Sequence, residues 1–320
     1  MEKLNLRLSN LPVIFGSLMQ KASFVPLLPH IQSGDRKALA RAISLVENSV
    51  PGYEAFLQSL PASNTPVIGI TGPPGAGKST LVDALIGHWA AQGKSVGVVC
   101  VDPSSPFNLG ALLGDRIRMS EWYTNPQVFI RSLATRGSLG GLHPAIIEIT
   151  DMMKVAGFDY VIVETVGVGQ SEVEIAGLAD TTVVVVVPEA GDEVQTMKAG
   201  LMEIADIFVV NKSDRPDADM FARNLRLMMA PAFQSKSHEI AIIKTEAHHK
   251  KGIDELASAI EKHLSEHLDN QRKYWLLAEK AWHLIMQKRM GNISKDGLSK
   301  ALMEAGTGNM NLYKFIEEYK

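Results

Sequence analysis

From Gly34 onward the apolar positions fall at helical spacing. Leu39, Ile43, Val46 and Val50 recur three or four residues apart, and Ser33 or Asp35 is placed to cap the start. Pro51-Gly52 breaks this pattern, a short second helix over Tyr53 to Leu60 follows, and PASNTP at 61–66 is turn chemistry that marks a boundary. Residues 1–33 carry no periodic signal. The next two hundred residues alternate. Short β-branched runs occur at 67–71 (VIGIT), 96–101 (VGVVCV), 128–133 (VFIRSL), 159–165 (DYVIVET), 182–187 (TVVVVV), 206–210 (DIFVV) and 240–243 (IAII). Helix-like stretches at 78–92, 141–156, 192–204, 217–229 and 252–266 separate most of them. Strands that read as unbroken apolar runs are buried on both faces, as in parallel sheets. Their alternation with helices predicts an α/β fold, a mostly parallel central sheet with helices on both sides.

The remainder reads as all-helical. Leu268, Trp275 and Trp282 recur every seven residues with Ala278 and Ile285 between them, a short apolar seam. Such a seam either packs on its own domain or meets a second subunit, and two tryptophans on an appended helix favour an interface. The expected organisation is an N-terminal helical extension over 1–62, an α/β domain over 63–263 and a C-terminal helical arm over 264–320.

Composition narrows the classes. The chain has 320 residues, enough for a full core and more than one substructure. A net charge of −3 provides no global basic field, so neither nucleic acid nor an anionic membrane is an expected partner. The longest apolar run, Thr181 to Pro188, is far too short to span a bilayer. The apolar patch LPVIFGSLM at 11–19 is not followed by a small-residue cleavage site, so no signal peptide is expected. The lone cysteine, Cys100, reads as a small buried strand residue and suits a reducing compartment. The expected location is the cytoplasm.

The chemistry begins at GITGPPGAGKST, 69–80. It matches G-x-x-x-x-G-K-[ST] and sits where that motif needs to be, after a β-run and at the opening of a helix. Gly75, Ala76 and Gly77 would turn backbone N–H groups toward phosphate oxygens, and the helix start at Lys78, Ser79 and Thr80 would add its partial positive charge. Lys78 would reach the β- and γ-phosphates and Ser79 would ligate Mg²⁺. VVNKSD at 209–214 ends a later strand. Its carboxylate, Asp214, can accept from guanine N1–H and the 2-amino group, a donor pair that adenine lacks. Asn211 would meet the base edge and the Lys212 stem would cover the ring. The expected ligands are GTP and GDP with Mg²⁺.

Between the two motifs lie three carboxylates that end strands or follow them: Asp102 in VDPSSPF, Asp115 in GDRIRM and Glu164 in ETVGVGQSE. Magnesium usually takes only one or two carboxylates, so these acids have more than one role to share: metal ligand, outer ligand through water, and orienter of the attacking water. Gly167 can offer its N–H to the γ-phosphate. Gln170 lies three residues beyond it, poorly placed to position water. Arg116 and Arg118 flank Asp115, as phosphate contacts or as a solvated face.

With these stretches in view, the chain resembles the MeaB/ArgK family of P-loop GTPases. The motifs GDRKALARAI, GPPGAGKST, DPSSPF, GDRIRM, ETVGVGQSE, GDEVQTMKAG and NKSD fall in the family's order, from about Gly34 to the C-terminus. The resemblance implies a short helical N-terminal part, a central GTPase domain and a C-terminal arm that makes a homodimer. It implies slow GTP hydrolysis. It also implies a chaperone role toward an adenosylcobalamin-dependent acyl-CoA mutase, typically methylmalonyl-CoA mutase, in which cofactor loading is gated and the mutase protected from inactivation. By position, Lys78 and Ser79 match the phosphate and Mg²⁺ ligands, and Asp102, Asp115 and Glu164 match the magnesium-site acids. PEAGDEVQTMK, 188–198, matches an extra switch segment, in which Lys198 matches a lysine used when the partner activates hydrolysis.

Two departures stand out. Many relatives read P-G-A-G-D where this chain has Glu189 after Pro188, which stiffens and charges the loop. The last guanine loop is commonly S-A-x-x-G-x-G; here Glu246 stands at the serine place, Ala247 matches, and Lys250 stands for the first glycine. The Ala247 N–H would still meet the guanine carbonyl. Three other classes are weighed on the residues alone. A kinase passing the γ-phosphate to a transport protein or small molecule would need an acceptor pocket. A metal-delivery GTPase would need clustered soft or imidazole ligands, and only His248 and His249 are adjacent, a pair that reads as a solvated loop. A protein-targeting GTPase would need a methionine-rich domain, and Met220, Met228 and Met229 at helix spacing read as core.

Overall fold

The computed structural model describes residues 24, 26–102, 119–135, 142–165, 167, 171–188, 199–233, 240–266, 271–290, 293–305, 311–317 and 319. Asp115, Arg116, Arg118, Gln170, Glu189 and Lys198 lie outside the described residues, as does most of the switch segment at 188–198.

Seven strands form one sheet: β1 (Val67–Thr71), β2 (Val96–Asp102), β3 (Val128–Ala134), β4 (Tyr160–Glu164), β5 (Thr181–Val186), β6 (Ile207–Val210) and β7 (Ala241–Lys244). Their spatial order is β3-β2-β4-β1-β5-β6-β7, and every pairing is parallel. The runs VIGIT and TTVVVV are buried at every position, as strands covered on both faces must be. The helix α4 (Lys78–Ala91) packs on one face with α9 (Ile253–Ser265), where Leu81, Leu85, Trp89, Leu256 and Ile260 join one apolar cluster. Trp89 stacks on Tyr160 at 4.4 Å, and Glu261 accepts from both the indole N–H and the Tyr160 hydroxyl, each at 3.1 Å. The buried aromatic thus keeps its polar edge satisfied. On the other side, α7 (Ala199–Ile204) and α8 (Ala218–Phe233) close a second cluster around Phe208, Phe221 and Leu225.

The N-terminal helices are α1 (Leu27–Gln32), α2 (Arg36–Glu47) and α3 (Tyr53–Gln58). Asp35 caps α2 by accepting from the N–H groups of Lys37 at 2.8 Å and Ala38 at 3.1 Å. Leu39, Ile43 and Val46 are buried, as their spacing requires. α1 was not expected: six residues are too few to show a period, and the helix is held by burying Leu27 and Ile31. Arg131 of β3 bonds Glu47 of α2 at 2.7 Å, and Arg36 lies over the Phe158 ring at 3.8 Å, so this layer is tied to the sheet and to the chain end of α5 (Ile146–Lys154). The remaining helix of this unit is α6 (Ser171–Leu178), between β4 and β5.

The chain divides into two compact units at Lys273/Tyr274. The divide falls inside α10 (Gln271–Arg289), which is followed by α11 (Lys295–Ala305) and α12 (Leu312–Glu317). At its start, Arg272 donates to the carbonyls of Glu203 at 2.6 Å and Ile204 at 3.1 Å, the last residues of α7. Within the second unit none of the described residues is buried. Trp275 and Trp282 are 56% and 61% exposed, and Ala278 and Ile285 are exposed with them. Leu268 lies outside the described residues. Among the described residues no helix is long and apolar enough to cross a membrane.

Candidate nucleotide-binding site

A parallel sheet sends all its strand ends the same way, so the loops after β1, β4, β6 and β7 meet at one rim. The loop after the central strand β1 carries the glycines. Gly72, Gly75 and Gly77 all have positive φ (140°, 77° and 89°). A side chain at Gly77 would come within 2.4 Å of Asn211 Nδ2, so the loop packs against the β6 loop with no room for a Cβ. The chain then enters α4 at once, so the N-terminus of that helix, with its partial positive charge, opens at the loop's hollow. Lys78 is buried, and its Nζ donates to Gly72 O at 2.9 Å and Pro73 O at 3.1 Å, folding back over the loop. Gly167 lies close behind: a Cβ there would meet Gly72 O at 2.0 Å and Lys78 Nζ at 2.7 Å.

Ser79, one residue into the helix, donates from its hydroxyl to Glu164 Oε1 at 2.7 Å; both are buried. Cys100, paired in register with Glu164 across β2 and β4, brings its sulfur to 3.9 Å from Oε2. Thr71 and Thr165 share a hydroxyl–hydroxyl bond of 2.8 Å beside them. Asp102 is the last residue of β2, two positions beyond Cys100. Hydroxyl and carboxylate oxygens are hard donors of the type magnesium takes, so Ser79 and Glu164 fit such an ion. Among the described residues no cluster of three or more His, Cys, Asp and Glu side chains is placed to hold a metal, His248 and His249 included.

The base side is built from the loops after β6 and β7. Asn211 is buried, and its side chain works inward: Nδ2 donates to Ala76 O at 2.9 Å, while Oδ1 accepts from the Thr245 hydroxyl at 3.0 Å and from the Ala247 N–H at 3.2 Å. One amide thus ties the glycine loop, the NKSD loop and the last loop together. Ser213 N–H donates to Thr245 O at 3.0 Å, and Lys212 takes a left-handed φ of 56°, turning the chain so that Asp214 faces outward. Gly77, Thr80, Asn211, Lys212, Asp214, Arg215, Glu246, Ala247, His248 and His249 line one cavity of about 240 Å³. That is a little below the roughly 300–1,000 Å³ of pockets for drug-sized ligands. The Lys251 ammonium, hydrogen-bonded to Glu246, holds that carboxyl below its ordinary pKa against the opposing effect of burial.

The structure therefore brings Gly75, Ala76, Gly77, Lys78, Ser79, Thr80, Gly167, Glu164, Asn211, Lys212, Asp214 and Ala247 to one rim. Thr245, Arg215, His248 and His249 join them without having been singled out as contacts. Thr245 is reached only because β7 pairs with β6, and no local motif announces it. The two histidines, read from sequence as a solvated loop, are exposed and also line the cavity.

Comparison with known proteins agrees with this geometry. The family model "Methylmalonyl Co-A mutase-associated GTPase MeaB" matches residues 39–299. A putative GTPase of Pyrococcus horikoshii is 49% identical over 242 residues, 74% of this chain and 76% of that protein. The GTPase ArgK of Escherichia coli is 37% identical over 253 residues, 76% of each. The mitochondrial methylmalonic aciduria type A homolog of Caenorhabditis briggsae is 40% identical over 205 residues, 59% of this chain and half of that one. The crystal structure of a LAO/AO transport system kinase superposes with a TM-score of 0.62 at 28% identity, covering 85% of both chains. With a guanine-nucleotide rim of this form and a family match across most of its length, the chain belongs to the MeaB/ArgK family of P-loop GTPases.

Proposed function

We propose that this GTPase is a Mg²⁺-dependent chaperone of an adenosylcobalamin-dependent acyl-CoA mutase, methylmalonyl-CoA mutase by preference, which gates cofactor loading and protects the loaded enzyme. The observation that carries the reading is the match of residues 39–299 to a family described by its association with that mutase. Lys78, poised on the loop carbonyls, would exchange them for the β- and γ-phosphate oxygens. The N–H groups of Gly75, Ala76, Gly77, Ser79 and Thr80 would cradle the phosphates, with Gly167 at the γ end. Asp214 would select guanine, and Asn211 would hold the three loops around it. Magnesium would be held by Ser79 and by acids among Asp102, Asp115 and Glu164; when bound it neutralises phosphate charge. The acid not used on the metal would orient the attacking water. Lys198 and the segment 188–198 would relay partner contact to the nucleotide.

The exposed tryptophan seam supports a homodimer formed through the arm, with domain limits at 1–62, 63–263 and 264–320. One cysteine and a net charge of −3 suit a cytoplasmic protein without a nucleic-acid or membrane partner. The test is GTP hydrolysis by the purified protein with and without a purified mutase, with ATP and Lys78→Ala as controls. Turnover of GTP alone that the mutase accelerates is expected. GTP turnover indifferent to several such mutases overturns the partner. Transfer of labelled γ-phosphate to an acceptor other than water would instead favour a kinase, the activity for which the structural relative is named.

A further inference from the structure

The last guanine loop departs from the family pattern at two positions, and the structure places both in one short turn, where the Glu246 carboxylate is partnered by Lys251 and His249. Lys250, where a glycine is common, holds a left-handed φ of 57°. A residue with a Cβ is disfavoured there, by roughly 1–2 kcal/mol. Gly252 keeps the second glycine for a steric reason, since a Cβ would meet Lys244 O at 2.2 Å. The turn is closed by backbone bonds: Glu246 N–H to Lys251 O at 3.1 Å, Lys251 N–H to Glu246 O at 3.3 Å, and His249 N–H to Glu246 O at 2.9 Å. Over this frame sits a side-chain brace. Glu246 Oε2 lies 2.9 Å from Lys251 Nζ and 3.3 Å from His249 Nδ1. The carboxylate is only 17% exposed and lines the cavity, while its partners are 69% and 60% exposed at the rim.

We propose that Glu246 is a positioning residue: its brace, an ion pair to Lys251 with a contact to His249, replaces the freely turning glycine loop and holds Ala247 against Asn211, so that the retention of guanine nucleotide depends on this brace. The path is continuous. Glu246 fixes the turn, the turn sets the Ala247 N–H on Asn211 Oδ1 at 3.2 Å, and Asn211 Nδ2 holds Ala76 of the phosphate loop at 2.9 Å. Because the brace is a partly exposed ion pair, salt screens it. This inference rests on the guanine reading of the cavity.

The experiment is stopped-flow release of a fluorescent GDP analogue from the full chain at 0.05 and 0.5 M KCl, for wild type, Glu246→Gln and Lys251→Met, with melting temperature as a folding control. Glu246→Gln is expected to release nucleotide faster at low salt, on the order of 3–10-fold as for coupled neighbours, and to show a shallower salt dependence than wild type. Lys251→Met should behave alike, and a Glu246→Ser/Lys250→Gly double variant should regain slow release with the shallow slope. A purely structural role would lower the melting temperature and leave the salt slope at its wild-type value. Wild-type rates and slopes in both single variants overturn the brace and leave the guanine site standing. Wild-type protein that fails to bind the GDP analogue, or binds the ADP analogue as well, overturns the guanine reading and the brace together.

Discussion

The nucleotide rim and the C-terminal unit end in opposite states. At the rim, buried polar groups find partners within the chain: Asn211 makes three side-chain bonds and Ser79 meets Glu164. The unit from Tyr274 onward leaves Trp275, Trp282, Tyr313 and Met303 exposed, and no described residue of it is buried. Fully burying a large apolar side chain is worth roughly 1.5–3 kcal/mol. That gain is forgone at several positions of the second unit, whereas the rim is already assembled. The difference teaches that the rim is assembled by contacts within the chain, whereas the exposed aromatics of the second unit are what the proposed homodimer would cover.

The sharpest way to break this comparison is to damage one region and measure the other. Lys78→Ala should lower GTP turnover by roughly 10²–10³-fold, the scale for losing one preorganised charge on the reacting phosphates, while light scattering finds the oligomeric state unchanged. A change of assembly would show that the regions are not separable. Conversely, Trp275→Ala with Trp282→Ala should weaken self-association by roughly 10²–10³-fold, two interface anchors at about 2 kcal/mol each that combine at or below their sum. GDP affinity, read by calorimetry, should stay within about twofold. If the double variant remains a dimer at micromolar concentration, the proposed seam is not the interface.

A smaller effect sharpens the rim alone. Asp214→Asn should lower GTP affinity by about 10²-fold in competition assays, because guanine's donor pair then faces an amide that offers one acceptor and one donor. Xanthine nucleotide, which presents a carbonyl in place of the 2-amino group, should gain. The smallest change is Lys250→Gly, which relieves a left-handed φ at the cost of a freer unfolded chain. Melting should rise by the equivalent of about 0.5 kcal/mol, and a fall would mean that the Lys250 side chain holds the loop in a way its backbone does not suggest.

Much of the fold was legible because strands buried on both faces cannot hide their composition. TVVVVV at 182–187 and VIGIT at 67–71 read as strands buried on both faces, and β5 and β1 are, β5 beginning one residue earlier. The glycine loop was legible because positive φ selects residue type directly. The helix α1 was not, since its two buried residues give no period. Nor was the inward role of Asn211: NKSD reads as base contacts, whereas this side chain's partners are Ala76, Thr245 and Ala247, distant in sequence. The pairing of Glu246 with Lys251 and His249 was equally hidden, because the glutamate taken alone is only a departure from a pattern.

By itself, the sequence determined most of the segments that become strands and helices and the turn of the glycine loop into α4, because backbone conformation and local chemistry are read within a few residues. Only the tertiary structure decided the strand order that gathers four loops at one rim, the partners that Asn211 and Glu164 take, and which apolar faces are left uncovered. Those depend on contacts across 34 to 135 residues of chain, and no local period or motif encodes the distance between groups so far apart.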